Sequence, residues 1–278
     1  MNTELRPLLD HELKDAVDLM NLGFSDYFVH IELTLPMFLN MIRMDGIDPG
    51  SSRLIYVDGE AAGIALIARR GWTSRLAAMC LSPAYRGQHA GRAAMDQLIS
   101  EARSRGDHRM VLEVIEDNAP GVRLYEACGF KIQRRLVSFE GTFSQSDAEA
   151  TLQPVDIRDV ARWVTIHGLD ELPWQLSGES LVQSSSPNTA FCLEQAYIVI
   201  SNPEAEQIAI RSLIVLPEAR GQGQAARLVE AVRSAFPNRK WLIPALCPEE
   251  IRGFFKRLQF ERGALSQLQM SIDLQDQE

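Results

Sequence analysis

Hydrophobic positions along the chain switch repeatedly between helical and strand spacing, which predicts a mixed α/β protein. After Asp10, a favourable N-cap residue, apolar side chains recur every three or four positions, at Leu13, Ala16, Val17 and Met20. A second helical stretch covers about Leu35–Met44. Residues 53–70 are predicted to form two strands joined at Asp58-Gly59, a dipeptide that favours the tight turn of a hairpin.

The following residues continue the alternation of strands and helices. Predicted strands cover residues 75–83, 109–116 and 131–141. Predicted helices run from about Ala90 to Arg103 and from the N-cap Asn118 to Gly129, since a glycine commonly follows the last helical turn.

The same order of elements then begins again, which predicts two domains of one fold. The length of 278 residues also favours two domains. Residues 142–151 lack apolar periodicity and are predicted to be a linker. We therefore expect an N-terminal domain at residues 1–141 and a C-terminal domain at residues 152–278.

A strand-to-helix turn is written almost identically in both halves, as RGQHAGRA at Arg86–Ala93 and RGQGQAAR at Arg220–Arg227. Small residues let the backbone approach a ligand, and the first N–H groups of a helix carry partial positive charge. An arginine can add charge-assisted contacts. The turn therefore predicts a site for an anion such as a pyrophosphate, although such turns also use glycine for geometry alone.

Downstream residues give the first turn a more specific meaning. NAPGVRLYEACGF, at Asn118–Phe130, follows a strand and begins 27 residues after Gly91. The ordered set of turn, strand, Asn and Leu-Tyr-x-x-x-Gly-Phe helix resembles the GNAT superfamily of acyl-CoA-dependent N-acyltransferases. The resemblance covers most of residues 1–141 and, more faintly, residues 152–274. It implies an α/β fold of two tandem GNAT-like domains, each with a mixed, mostly antiparallel sheet flanked by helices.

The resemblance also implies acetyl-CoA as co-substrate and assigns its contacts. The pantetheine arm is expected to pair with the backbone of a bent strand at Met79, Cys80 and Leu81, and to contact Asn118. The pyrophosphate loop corresponds to Arg86, Gly87, Gln88, His89, Ala90 and Gly91, and continues into Arg92. His89 stands where the family has glycine, so its Cβ is expected to crowd the phosphates.

Two side chains are candidates for proton transfer. Tyr125 matches the family's general acid towards the departing thiolate, a role that suits a phenol with a pKa of about 10. Glu113 matches the carboxylate that some members use as a base, and Glu116 at the strand end is its rival. Structural interpretations stand beside both: a helix-surface or core tyrosine, and a solvated charge at a strand end.

The second half of the chain keeps the loop but lacks the residues that the resemblance assigns to proton transfer and pantetheine binding. Its loop fits the family pattern fully, but Ile243, Pro248 and Phe255 stand where the first half has Glu113, Asn118 and Tyr125. A phenyl ring has no proton to give. The C-terminal domain is therefore predicted to be catalytically degenerate, with glycines that either still bind coenzyme A or serve only the turn.

The net charge, the apolar runs and the cysteine positions of the chain limit the kinds of partner and site that we expect. A net charge of −9 indicates no nucleic-acid partner, and the absence of an apolar run of about 18 residues predicts no membrane span. The charged N-terminus is not a signal peptide. The cysteines are widely separated, with no His at metal-ligand spacing: Cys80, Cys128, Cys192 and Cys247. We therefore expect no metal site, no obvious disulfide framework and a cytoplasmic protein.

These observations leave one leading function and one alternative. The leading function is N-acetyl transfer from acetyl-CoA to a small-molecule or peptide amine by direct attack, with Glu113 as base and Tyr125 as acid. The alternative is a non-catalytic module that binds coenzyme A or a partner, in which His89 blocks productive binding. Phe24, Tyr27 and Phe28 either line the acceptor pocket or belong to the core.

Overall fold

Twelve strands and eight helices form in the computed structural model, which describes residues 2–28, 32–143 and 151–275. The strands are β1 (Thr3–Pro7), β2 (Arg53–Val57), β3 (Glu60–Arg70), β4 (Thr73–Leu81), β5 (Arg109–Ile115), β6 (Lys131–Thr142), β7 (Gln153–Val155), β8 (Thr189–Leu193), β9 (Ala196–Ile200), β10 (Gln207–Val215), β11 (Lys240–Pro248) and β12 (Glu261–Asp273). The helices are α1 (Leu13–Gly23), α2 (Leu35–Asp45), α3 (Ala90–Ser104), α4 (Ala119–Ala127), α5 (Ile157–His167), α6 (Gly178–Leu181), α7 (Gln224–Ala235) and α8 (Arg252–Arg257).

The chain divides into two compact units whose boundaries differ from the predicted ones. Unit 1 is formed by the described residues of Met1–Gln133 and Leu268–Glu278, and unit 2 by those of Arg134–Gln267. Most of β6 therefore belongs to unit 2, whereas the end of β12 belongs to unit 1. The hydrophobic periodicity of a sequence locates a strand but does not identify the sheet edge that the strand joins. For this reason the sequence prediction assigned most of β6 and the end of β12 to the wrong units. Of the predicted linker, residues 144–150 lie outside the described residues.

In unit 1, a mostly antiparallel sheet has the order β1-β2-β3-β4-β5, followed by the end of β12. The parallel pair is β4 with β5, and the pairs from β1 to β4 are antiparallel. Helix α3 and the sheet share a core that includes Ile67, Leu98, Met110, Leu112 and Met270. Burial of these side chains is the main favourable term in forming the unit.

In unit 2, the order is β6-β11-β10-β9-β8-β7, again with one parallel pair, β10 with β11. Its core includes Ile198, Ile208, Leu228, Trp241 and Phe255. Each unit is thus a mixed, mostly antiparallel sheet with helices, which confirms the predicted fold class.

Each parallel pair separates after a few residues. Strands β4 and β5 pair over Thr73–Leu76 and Arg109–Leu112, and a bulge interrupts the β3–β4 ladder at Ala77. Strands β10 and β11 pair over Gln207–Ala209 and Lys240–Leu242, with a bulge at Arg211. A bulge bends its strand and increases the local twist, so in each unit the two parallel strands diverge and open a cleft.

Most local signals are confirmed, and one helix start is wrong. Asp58 and Gly59 form the hairpin turn with φ of 49° and 90°, and the Asn118 side chain caps α4. Asp10 instead belongs to a short 3₁₀ turn that follows Pro7, and Glu12 occupies the N-cap of α1. The short strands β1, β7 and β8 were not predicted, because runs of three to five residues carry little periodicity.

Gly63 lies in β3 at a position where the neighbouring strand β4 leaves no room for a side chain. A Cβ at this position would overlap the carbonyl oxygen of Cys80, a backbone atom that cannot move alone. We expect Gly63→Ala to lower the free energy of unfolding by about 1–3 kcal/mol, as overpacking does, measured by urea denaturation. The matched control is Gly253→Ala in α8, where a Cβ has ordinary contacts and is expected to be neutral or stabilising by up to about 1 kcal/mol. Equal effects of the two substitutions would contradict this account.

Candidate active site

One wall of the unit 1 cleft is the end of β4. Met79, Cys80 and Leu81 pair with β3 along one edge, whereas pairing with β5 stops at Leu76. The edge that faces β5 therefore carries backbone groups that the parallel ladder does not use, an arrangement that suits an extended ligand. The thiol of Cys80 is buried, and burial raises its pKa to about 12. It is therefore protonated at neutral pH and is not a nucleophile.

The repeated turn follows this wall and begins α3. Gly87 has φ of 73°, and the side-chain Nε2 of Gln88 donates a hydrogen bond to the carbonyl oxygen of Ala84 at 2.9 Å. His89 is exposed and holds φ of 63°, the left-handed conformation that Gly223 adopts at the same position of unit 2. The N–H groups of the first turn of α3 have no partner within the helix, so they are available to an anion.

The Arg86 side chain is bound by the protein, which differs from the predicted contact with an anion. Its guanidinium donates to the carbonyl oxygens of Leu81 at 3.0 Å and Gly23 at 2.8 Å, and forms two bonds with the Asp26 carboxylate at 2.7 and 2.9 Å. Hydrogen bonding to Arg86 lowers the pKa of Asp26. The guanidinium thus fastens the turn to the end of α1, and the turn's capacity for anions lies in its backbone.

The second copy supports this interpretation. Arg220 donates to the carbonyl oxygens of Val215 and His167, the counterparts of the Arg86 contacts with β4 and α1. In unit 1, Arg92 is likewise occupied by Asp96 and by the carbonyl oxygen of Ala127. Structural needs therefore account for much of the repeated octet.

Asn118 joins α4 to the segment between α1 and α2. Its side chain accepts a bond from the N–H of Gly121 at 3.1 Å and also hydrogen-bonds with Tyr27. Burial raises the pKa of Tyr27, and the bond with Asn118 opposes this shift. Tyr27 stacks edge-on with Phe24 and Phe28 at ring distances of 5.0 and 5.4 Å. Sequence reasoning missed the Tyr27–Asn118 contact, which carries no local signal.

Tyr125 lies on α4, where its ring contacts Phe130 edge-on at 6.0 Å. Burial raises its pKa above the usual range of a phenol, and Tyr27, Cys128 and Cys80 add to the shift. The hydroxyl therefore stays protonated at neutral pH, as a proton donor must. Its ring packs against the same core cluster as Met79 and Leu81 of the β4 wall.

Glu113 belongs to a buried cluster of charges. Its Oε2 accepts from the Nε of Arg75 at 2.7 Å, and Arg75 also pairs with Asp45 at 3.3 Å. The Glu113 and Arg75 side chains are only 2% and 4% exposed. Burial opposes the charge of Arg75, but the two carboxylates outweigh it and raise the pKa of the guanidinium.

This geometry changes the interpretation of Glu113. It is not a solvated charge at a strand end; the half-buried Glu116 is nearer that description. Its second oxygen, Oε1, is buried and has no hydrogen-bond partner among the described residues. Two carboxylates share one guanidinium, so the cluster has a formal charge of −1, and one oxygen remains for another donor.

Unit 2 lacks both partners of this ion pair. Aligning the two splayed strand pairs by their registers places Ala209 where unit 1 has Arg75, and Pro244 where it has Glu113. The sequence prediction of Ile243 at this position is wrong by one residue, because Ile243 faces the core like Leu112. Pro248 ends β11, and the ring of Phe255 is buried at the position of Tyr125.

Neither a metal centre nor a membrane span is found in the part of the chain that the structure describes. Within residues 2–28, 32–143 and 151–275, no three His, Cys, Asp or Glu side chains are grouped so that they could hold a metal ion. In the same ranges, no helix combines the length and apolar character needed to cross a membrane.

Comparisons with known proteins add a family context. Residues 17–130 match the model described as Acetyltransferase (GNAT) family. A 90-residue stretch is 34% identical to streptothricin acetyltransferase of Streptomyces lavendulae, covering 31% of this chain and 48% of that protein. The chain thus spans about half the length of this curated relative.

Solved structures match over both units. A GCN5-related N-acetyltransferase from Sphaerobacter thermophilus aligns with a TM-score of 0.69 at 15% identity, over 99% of this chain and 96% of that one. A tandem GNAT protein from the clavulanic acid biosynthesis pathway, without AcCoA, aligns with a TM-score of 0.62 at 14% identity, over 100% and 99%. At these identities the likeness establishes the fold, and it confirms the predicted fold class of two domains.

The Arg75–Glu113 pair predicts a separation of stability from activity. Glu113→Leu alone leaves a buried guanidinium with less compensation, and we expect it to cost about 3 kcal/mol in urea denaturation. The double variant Arg75→Met/Glu113→Leu replaces the pair with apolar side chains, as unit 2 does, and is expected to regain most of that stability. Acetyl transfer should be lost in both variants. A stable double variant with full activity would show that the pair is only structural.

Proposed function

We propose that this chain, which matches the acetyltransferase (GNAT) family over residues 17–130, transfers an acetyl group from acetyl-CoA to an amine. One contrast carries the proposal. The parallel strands diverge in both units, but only unit 1 has a protonated phenol at Tyr125, on α4, and a buried carboxylate at Glu113, on β5. We assign catalysis to unit 1.

The features beside the cleft suit acetyl-CoA as the donor. The free edge of β4 offers backbone groups to the amides of the pantetheine arm, and the first turn of α3 offers N–H groups to the pyrophosphate. Because Arg86 is bound to Asp26, Gly23 and Leu81, it contributes by holding this turn in place. His89 leaves less room above the turn than the glycine it replaces.

Proton transfer accompanies direct attack. The neutral amine attacks the thioester carbon, a C–N bond forms, and the C–S bond breaks. Tyr125 donates its hydroxyl proton to the leaving thiolate, and the proton lost by the amine passes to Oε1 of Glu113, directly or through water. Proton return from Glu113 to the phenolate through solvent restores both groups.

The acceptor is proposed to be a small amine that arrives as a cation. The Asp45–Arg75–Glu113 cluster has a formal charge of −1, and Tyr27 and Phe28 present aromatic surface on the α1–α2 segment. Both features attract an ammonium group. The sequence match to streptothricin acetyltransferase favours a small molecule over a peptide. A panel of primary amines that includes streptothricin, assayed with acetyl-CoA for thiol release, tests this proposal.

Tyr125→Phe tests the acid. Removing the hydroxyl is expected to lower kcat by about 10²–10⁴-fold, the usual contribution of general acid catalysis, with acetyl-CoA affinity unchanged. The wild-type rate should also show no alkaline loss at the pKa of an ordinary tyrosine, about 10, because the pKa of Tyr125 is raised. Tyr197→Phe, in β9 of unit 2, is the matched control and should keep full activity. A Tyr125→Phe enzyme with unchanged kcat would remove Tyr125 from the chemical step.

Exchanging the residue types at the matching loop positions His89 and Gly223 tests which unit is catalytic. His89→Gly restores the family loop in unit 1 and should leave acetyl-CoA binding equal or tighter, measured by calorimetry. Gly223→His installs the same side chain in unit 2 and should leave turnover unchanged, because Phe255 and Pro244 cannot transfer protons there.

Two outcomes would contradict these assignments. If Gly223→His abolished turnover at unchanged stability, unit 2 would be the working acetyltransferase. If the wild type bound no acetyl-CoA and His89→Gly did, the chain would be a non-catalytic module.

A further inference from the structure

We propose that the cleft of unit 2 is a non-catalytic binding site for a small monocarboxylate with an apolar body, such as a medium-chain fatty acid. The site is separate from the acetyl-transfer site in unit 1. It is a cavity of about 450 Å³, within the usual size range of small-molecule sites.

The residues that replaced the catalytic groups form the walls of this cavity. Pro244, Pro248 and Phe255 all line it. Apolar side chains from α5, β10 and β11 complete the lining, among them Val164, Leu213 and Leu246. The substitutions thus made the cleft hydrophobic without filling it. A cleft with no ligand is under no constraint to keep such an opening, because a collapsed apolar interior is more favourable.

One cation in the lining is unpartnered. Arg211 occupies the β10 bulge, where unit 1 has Ala77, and it lines the cavity. Within the described residues it forms no side-chain hydrogen bond or ion pair, whereas the other lining arginine, Arg220, is bound to the carbonyl oxygens of Val215 and His167. Arg211 is exposed to solvent and also lines the cavity, so its guanidinium is accessible to a ligand that supplies a counter-charge.

Charge in the lining selects the kind of ligand. No Asp or Glu is among the described residues that line the cavity, so they offer an amine no carboxylate as counter-charge. A carboxylate matches the guanidinium geometrically, since the two can form paired N–H···O bonds. An apolar body matches the walls. The combination therefore favours an apolar acid over a sugar, an amino acid or an amine.

The test uses the full chain and decanoate, with 1-decanol as the uncharged probe of the same length. Calorimetry should show one decanoate site per chain, and Arg211→Gln should weaken decanoate binding by about tenfold or more without changing the weaker binding of decanol. Ser212→Phe, which places a ring in the cavity, should abolish binding of both probes. Arg162→Gln, on the exposed face of α5, is the matched control and should bind decanoate like the wild type.

Three results would overturn the proposal. The first is no decanoate binding to the wild type at millimolar concentration. The second is equal decanoate affinity in the wild type and Arg211→Gln, which removes the carboxylate from the recognition. The third is stoichiometric displacement of decanoate by acetyl-CoA, which would make this cleft a second coenzyme A site. Because the assay does not measure acetyl transfer, its outcome is independent of the function proposed for unit 1.

Discussion

The divergence of two parallel strands is the constraint on which both units depend. A bulge at Ala77 bends β4 away from β5 after a pairing of four residues, and a bulge at Arg211 does the same for β10 and β11. The unpaired strand edges that result are unfavourable unless a ligand or a side chain uses them. In each unit, the side chains placed at the mouth of the cleft decide what that ligand is.

The two charged side chains of the Arg75–Glu113 pair in unit 1 are both replaced by apolar ones in unit 2. Unit 1 holds a buried guanidinium between two carboxylates, while unit 2 has Ala209 and Pro244 at the positions of Arg75 and Glu113. Losing one partner of a buried ion pair is costly, but replacing both with apolar groups is tolerated. A duplicated domain that no longer needs the carboxylate therefore tends to lose both charges together. The repeated octet has a structural explanation in both units, because its arginine donates hydrogen bonds to backbone carbonyl oxygens in both copies.

Local signals in the sequence were sufficient to predict most secondary-structure elements and the repeated turn. They were insufficient to predict which distant residues contact one another. Caps such as Asn118 and turns such as Asp58-Gly59 act within a few residues, so their spacing alone predicted them. Arg75 and Glu113 are 38 positions apart, and Arg86 and Asp26 are 60 apart. No periodicity connects such pairs. The resemblance to a family identified Glu113 as important, but only the fold shows the guanidinium that it faces.

The exchange of final strands has a consequence for biosynthesis. Unit 1 includes Leu268, Met270 and Leu274 in its core, so its hydrophobic interior is incomplete while the ribosome is still translating residues 134–267. Most of β6 meanwhile becomes available to unit 2 before the rest of that unit exists. The nascent N-terminal half therefore presents an unfilled sheet edge for more than a hundred residues of elongation, at the side of β5 that β12 later covers.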